Sequence, residues 1–136
     1  MASRVGPDAC RRTLCDDLAV RMTILVVDDH DGFRSFARAL LQAEGFDVVG
    51  EASDGASALE AAAELEPQLV LLDIQLPDGD GFGIARQLAD RPLAPAVVLV
   101  STRDASSYRR RLAQTPALGF ITKGELSGPA LRRLLP

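Results

Sequence analysis

Long apolar runs are missing from this sequence, and so is most of what builds metal clusters or redox centres. No stretch approaches the roughly 18 to 20 apolar residues that a membrane helix needs, and the N-terminus lacks the apolar core of a signal peptide. A cytoplasmic protein without a membrane partner is expected. Cysteine is scarce: Cys10 and Cys15 stand in a polar N-terminal segment, and the one histidine, His30, lies well beyond them. A structural zinc site wants four ligands at recognisable spacings, so the two thiols read as free in a reducing compartment. Basic charge is in deficit too. With 15 Lys and Arg against 19 Asp and Glu the net charge is −4, the reverse of the basic face with which a non-specific nucleic-acid binder displaces counterions. Neither Gly-x-Gly-x-x-Gly nor a P-loop occurs, which removes the usual nucleotide-binding enzymes.

What is present fits one domain with one core: 136 residues, 47% apolar and 25% charged. Residues 1–21 show no sustained period and carry Gly6-Pro7 among scattered charges, which predicts a flexible arm or frayed helix outside the folded unit, residues 22–136. Met22 stands immediately before the first strand-like run, and the folded unit or translation itself could begin there.

From Thr23 onward, short β-branched runs alternate with amphipathic segments. Strands are expected over 23–28, 47–51, 69–73, 96–100 and 118–122, and helices over 31–44, 56–65, 82–90, 105–114 and 125–134. In the first helix Phe33, Phe36, Ala37, Leu40 and Leu41 repeat at three and four residues and Gly45 stops the run; in the second, Leu59, Ala62 and Leu65 are expected inward, with Pro67 beyond. Phe46 and Phe82 are read as core. Five strand–helix units predict an α/β fold, a doubly wound parallel sheet with helices on both faces. Ligands of such sheets bind beyond the carboxyl ends of the strands, where strand order reverses.

Those ends carry Asp28 and Asp29, then Asp73, Ser101 and Lys123. Three carboxylates converging in one crevice repel, so a cation is required there. Magnesium, which takes one or two carboxylates together with waters and phosphate oxygens, meets that need. Lys123 and Ser101 suit the oxygens of an incoming phosphoryl group. Lys123 is the one lysine beside 14 arginines, the remainder of the 15 basic residues, which points to a narrow ammonium wanted at that strand end.

The stretches Ile24-Leu-Val-Val-Asp28-Asp29-His30, Leu69-Val-Leu-Leu-Asp73-Ile-Gln-Leu-Pro-Asp-Gly-Asp-Gly-Phe82, Val98-Leu-Val-Ser101 and Gly119-Phe120-Ile-Thr-Lys123 together resemble the receiver domains of bacterial response regulators, over about residues 23–135. The resemblance implies a flavodoxin-like five-stranded sheet of order 2-1-3-4-5. It implies that Asp73 is the phosphoacceptor, charged by a sensor histidine kinase or phosphotransfer protein. It also implies that Asp29 ligates Mg2+ directly and Asp28 partly through water, with the backbone carbonyl of Gln75 completing the protein ligands. Ser101 and Lys123 then hold the phosphoryl group, and Phe120 is the aromatic that swings inward with Ser101 on activation. Two departures stand out. Gly124 follows Lys123 where many receivers carry proline, and the chain ends at Pro136 directly after the last expected helix. A stand-alone receiver is expected, not an enzyme beyond self-dephosphorylation. Its output is expected in trans, to a downstream protein or a second copy, without direct DNA binding, through the surface built from the fourth helix, the fifth strand and the fifth helix, including Tyr108, Arg109 and Arg111.

Other readings exist for the same residues. Asp28 and Asp29 could cap the first helix, but capping leaves Asp73 unexplained. His30 reads as a solvated helix-start residue instead of a phosphotransfer histidine, and Arg109-Arg110-Arg111 as a solvated face or partner contact instead of a nucleic-acid patch. Tyr108 suits packing or a partner contact equally. A haloacid-dehalogenase-like phosphatase would want a second aspartate where Gln75 stands. A degenerate receiver, acting only as an interaction module, would usually have lost the acceptor, an acidic partner or the lysine.

Overall fold

The structure, a computed structural model, describes residues 21–136; the expected arm, with Cys10 and Cys15, lies outside them up to residue 20. Five parallel strands form the sheet: β1 (Thr23–Val27), β2 (Asp47–Ala52), β3 (Leu69–Asp73), β4 (Ala96–Ser101) and β5 (Gly119–Thr122), ordered β2-β1-β3-β4-β5. The expected order 2-1-3-4-5 is observed. Order reverses between β1 and β3, so the crevice of a doubly wound sheet opens beyond Val27 and Asp73. The helices are α1 (Asp31–Ala43), α2 (Gly55–Leu65), α3 (Gly81–Ala89), α4 (Arg109–Gln114) and α5 (Gly128–Leu134). No helix among the described residues is long and apolar enough to cross a membrane.

The central strands are buried on both faces, which is why they read as unbroken apolar runs. On one face Ile24, Val26, Leu69, Leu71, Val98 and Val100 pack against Ala37 and Leu41 of α1 and Leu131 of α5. On the other, Leu25, Val27, Val70, Leu72 and Leu99 meet Ala58 and Ala62 of α2 and Phe82, Ala85 and Leu88 of α3. Each fully buried Leu or Val contributes about 1.5 to 3 kcal/mol relative to exposure.

Local chemistry sets the helix ends. Gly45, at φ +95°, takes the left-handed position that closes α1. Asp54 caps α2 reciprocally with Ser57, and Glu66, left-handed at φ 48°, ends it just before Pro67. Ser127 caps α5 through the Ala130 N–H, with Pro129 in the first turn where its missing N–H is harmless.

The structure departs from the sequence reading in helix phase and at the later boundaries. Phe36 is 51% exposed because α1 faces the sheet with Ala37 and Leu41, and Phe36 falls outside that stripe. In α2, Ala58 and Ala62 face the sheet, Leu59 is half-buried, and Leu65 overhangs the edge, filling the space above Gly50. The helix expected over 105–114 is a 3-10 turn, Ala105–Tyr108, followed by α4. The last helix begins three residues late because Lys123–Glu125 form a 3-10 turn before the Ser127 cap. The stretch 77–81 closes a two-residue antiparallel hairpin, Gln75–Leu76 with Gly79–Asp80.

Candidate functional site

Among the described residues the buried polar side chains are Asp28, Asp73 and Ser101. All three were expected in the site, and all three stand at strand ends on its edge. Burying two carboxylates side by side is unfavourable unless a cation attends them. Lys123, from the turn after β5, supplies one. Its Nζ lies 2.5 Å from Asp28 Oδ2 and 3.3 Å from Asp73 Oδ2, and 4.7 Å from the centre of the Phe33 ring, which shields it from water.

One lysine does not neutralise the cluster. Asp73 is raised from 3.8 to about 6, first by burial and then by the facing Asp28 carboxylate, against which the pull of Lys123 and the Gln75 N–H is the weaker. Asp28 Oδ2 is buried, and the Lys123 ammonium is its one polar neighbour among the described residues. Carboxylate oxygens of Asp28, Asp29 and Asp73, with a His30 ring nitrogen, lie within 4.8 Å of one another. A mostly carboxylate donor set, open to solvent on one side and offset by a single ammonium, fits a hard divalent cation such as Mg2+. Asp29 is on the solvent side. It lines a crevice of about 220 Å³ with His30, Asp73, Gln75, Pro77, Thr102 and Lys123.

His30 stands at the start of α1 and is exposed, as expected, but it is not solitary: its Nδ1 is 3.1 Å from Asp28 Oδ1 and 3.0 Å from Asp29 Oδ1, and its N–H donates to Asp28 Oδ1 at 2.8 Å. The Gln75 N–H donates to Asp73 Oδ1 at 3.2 Å. Gly81 lets the chain pass close over the Asp73–Ile74 backbone. A Cβ there would stand 2.4 Å from the Asp73 carbonyl oxygen, so any larger residue pushes this loop away.

Ser101 and Tyr108 share a hydrogen bond of 3.0 Å, and the Arg103 N–H donates to Ser101 Oγ at 3.1 Å. Tyr108, included in the expected output surface although packing suited it equally, is 8% exposed and belongs to the core. The 3-10 turn before α4 rotates it inward, leaving Arg109, Arg110 and Arg111 outside. Phe120 is half-buried, its ring 6.0 Å from that of Tyr108, which is in turn 5.9 Å from Phe82.

Several supports had no signal in the sequence. Arg34 donates to the Asp28 carbonyl oxygen at 2.6 Å and to Glu51 at 3.0 Å, tying the β1–α1 loop to β2. Arg38 hydrogen-bonds the other Glu51 oxygen and, with Arg34, holds that carboxyl below its usual range. Asp78, two residues past Leu76 in the hairpin, accepts from the Gly55 and Ala56 N–H groups at 2.7 and 3.0 Å, which lowers its pKa and pins the hairpin to α2. Asp80 caps α3 and pairs with Arg111 of α4. Burial would raise its carboxyl, but Arg111 and the Phe82 N–H hold it below the usual value.

Buried acids and one lysine at the switch point of a doubly wound sheet define a class of α/β protein with its polar groups gathered at the strand ends. Residues 24–132 match the family model of the response regulator receiver domain, and the chain belongs to that family. It is 39% identical over 102 residues to the response regulator GacA of Pseudomonas aeruginosa, covering 74% of this chain and 48% of GacA. It is 36% identical over 102 residues to the virulence-factor transcription regulator BvgA of Bordetella pertussis, covering 75% and 49%. The signal receiver domain of NarL from Mycobacterium tuberculosis superposes with a TM-score of 0.73 at 34% identity, over 84% of this chain and 96% of that one. The chain spans about half the length of the curated relatives it matches. One of them is by name a transcription regulator, so absence of a DNA-binding output does not follow from the receiver fold.

Proposed function

We propose that Asp73 accepts a phosphoryl group from the phosphohistidine of a sensor kinase or phosphotransfer protein, and that the resulting rearrangement is read by a protein partner. The observation that carries this is the burial of Asp28, Asp73 and Ser101 at one sheet edge around Lys123. Asp29, Asp28, Asp73 and the Gln75 carbonyl would hold Mg2+, which when bound supplies positive charge to the oxygens of the transferred group.

The protein's own groups do the rest. The Asp73 carboxylate is the nucleophile and takes the phosphorus, while the leaving imidazole keeps the bonding pair. Lys123 already spans Asp28 and Asp73 and pairs with the added phosphoryl oxygens, and Ser101 donates to one of them. The group brings about −1.5 to −2 charge to the top of β3, and the elements bearing Ser101 and Lys123 follow it. Phe120 moves with them. Water in the crevice that Asp73 lines could attack the phosphoryl group, so self-dephosphorylation is the one turnover expected. The receiver works in the cytoplasm, its folded unit beginning at about residue 22.

The output surface is the face of α4, β5 and α5 carrying Arg109 and Arg110, read in trans by a second copy or by another protein. An interaction module indifferent to phosphorylation has no use for this acid–lysine cluster. Acetyl phosphate should label the protein only when Mg2+ is present, and a chelator should stop it; equal labelling with chelator present would defeat the metal-site assignment. Sedimentation and pull-down with and without beryllofluoride test the output, and identical mass and identical partners in both states would remove it.

A further inference from the structure

We propose that Tyr108 is a positioning residue: in the resting protein its hydroxyl accepts the single Ser101 proton, and the phosphoryl group on Asp73 must win that proton for the switch to operate. This rests on the reading of Asp73 as phosphoacceptor and deepens it.

A serine hydroxyl has one proton and two lone pairs. Ser101 is 1% exposed, so bulk water does not reach it. The Arg103 N–H can only donate and occupies one lone pair, at 3.1 Å. Among the described residues the other group within reach is the Tyr108 hydroxyl, at 3.0 Å; Asp73 is engaged instead with the Gln75 N–H and Lys123. Without an acceptor the Ser101 proton would be a buried unpaired donor, so Ser101 donates and Tyr108 accepts. Tyr108 keeps an outlet for its own proton, because it lines a groove of about 510 Å³ with Arg103, Ser107 and Arg111 that is wide enough for water.

A phosphoryl oxygen above Asp73 calls on the same proton, and one proton serves one of the two acceptors. When Ser101 turns to the phosphoryl group, Tyr108 no longer receives that proton and can hold Ser101 only as a donor to its remaining lone pair. The tyrosine closes the 3-10 turn directly before α4, and its ring stands between Phe82 and Phe120. The hydroxyl pair therefore links the acceptor to both the start of α4 and the Phe120 ring. Neither connection depends on Phe120 touching Ser101.

Tyr108→Phe keeps the ring packing and removes only the competitor. In the resting variant the Ser101 proton has no acceptor, whereas in the phosphoryl-bound form it is satisfied and just one lone pair stays unused. The variant should bind beryllofluoride, in the presence of Mg2+, about threefold to tenfold more tightly by calorimetric titration. In a Ser101→Ala background the same substitution should leave affinity unchanged, an outcome that a general packing effect would not give. Equal or weaker binding by Tyr108→Phe, or the same gain in the Ser101→Ala background, overturns the positioning role and leaves the reading of Asp73 standing. Failure of the unaltered protein to bind beryllofluoride overturns that reading, and the proposal with it.

Discussion

Replacing Asp73 by asparagine should stabilise the metal-free fold while removing its chemistry. The residue is 3% exposed and faces Asp28, so its ionisation works against folding. Its rise from 3.8 to about 6 corresponds to about 3 kcal/mol at 1.36 kcal/mol per pH unit, with the attraction of Lys123 already included. Because the folded pKa lies above the unfolded one, the stability tied to this group is fully present below about pH 4. It is lost as pH rises through about 6, where the native carboxyl finally ionises. An asparagine amide in its place does not titrate. Without Mg2+ at pH 7.5, Asp73→Asn should be more stable than the unaltered protein by about 2 to 3 kcal/mol, a Tm gain on the order of 5 to 10 °C. The gap should close towards pH 4, and should narrow when Mg2+ is added, since a bound cation favours the native carboxylate form. Thermal and urea unfolding across pH 4 to 7.5, with chelator and with Mg2+, measure this. Equal stability at pH 7.5 in chelator, or a gap that ignores pH, would refute the account of Asp73 as a carboxylate held against its own repulsion.

Asp29→Ala should weaken Mg2+ binding more than Asp28→Ala, because Asp29 lines the open crevice whereas Asp28 is fully buried against Lys123; equal losses by calorimetry would reverse the assigned roles. Lys123→Ala should blunt the chemical-shift changes that beryllofluoride induces around Phe120, and Lys123→Arg should restore them only in part, since a planar guanidinium does not fit where a narrow ammonium bridges two carboxylates. An unchanged pattern in Lys123→Ala would sever the proposed link. Gly81→Ala should cost about 1 to 3 kcal/mol, because its Cβ would press on the backbone of Asp73 and Ile74, and phosphorylation should slow as that loop shifts. Unaltered stability and labelling rate would show that the loop yields freely.

The sheet and the site edge were legible because each depends on local pattern: buried parallel strands are apolar throughout, and the residues ending them line the candidate site. Asp28, Asp73 and Ser101 are conspicuous in the sequence as polar residues ending runs such as Leu69-Val-Leu-Leu. Contacts between distant elements leave no such mark. Asp78 lies in a Pro-Asp-Gly turn and reads as turn chemistry, yet its carboxylate reaches N–H groups 22 and 23 residues earlier in the chain. Arg111 looked like part of a solvated arginine face, and its pairing with Asp80 spans 31 residues. Helix phase was ambiguous where apolar residues crowd together. Phe36 and Ala37 both fit a three-and-four spacing, and sheet proximity selects the smaller side chain. Tyr108 was open between packing and surface because a 3-10 turn, invisible in the residue pattern, decides which way it points.

The most direct test of the central claim is to map the modified residue after incubation with acetyl phosphate and Mg2+. Intact mass and peptide sequencing by mass spectrometry should find one phosphoryl group, on Asp73, and none in Asp73→Asn. A phosphoryl group on another residue, or undiminished labelling of Asp73→Asn, would contradict the assignment.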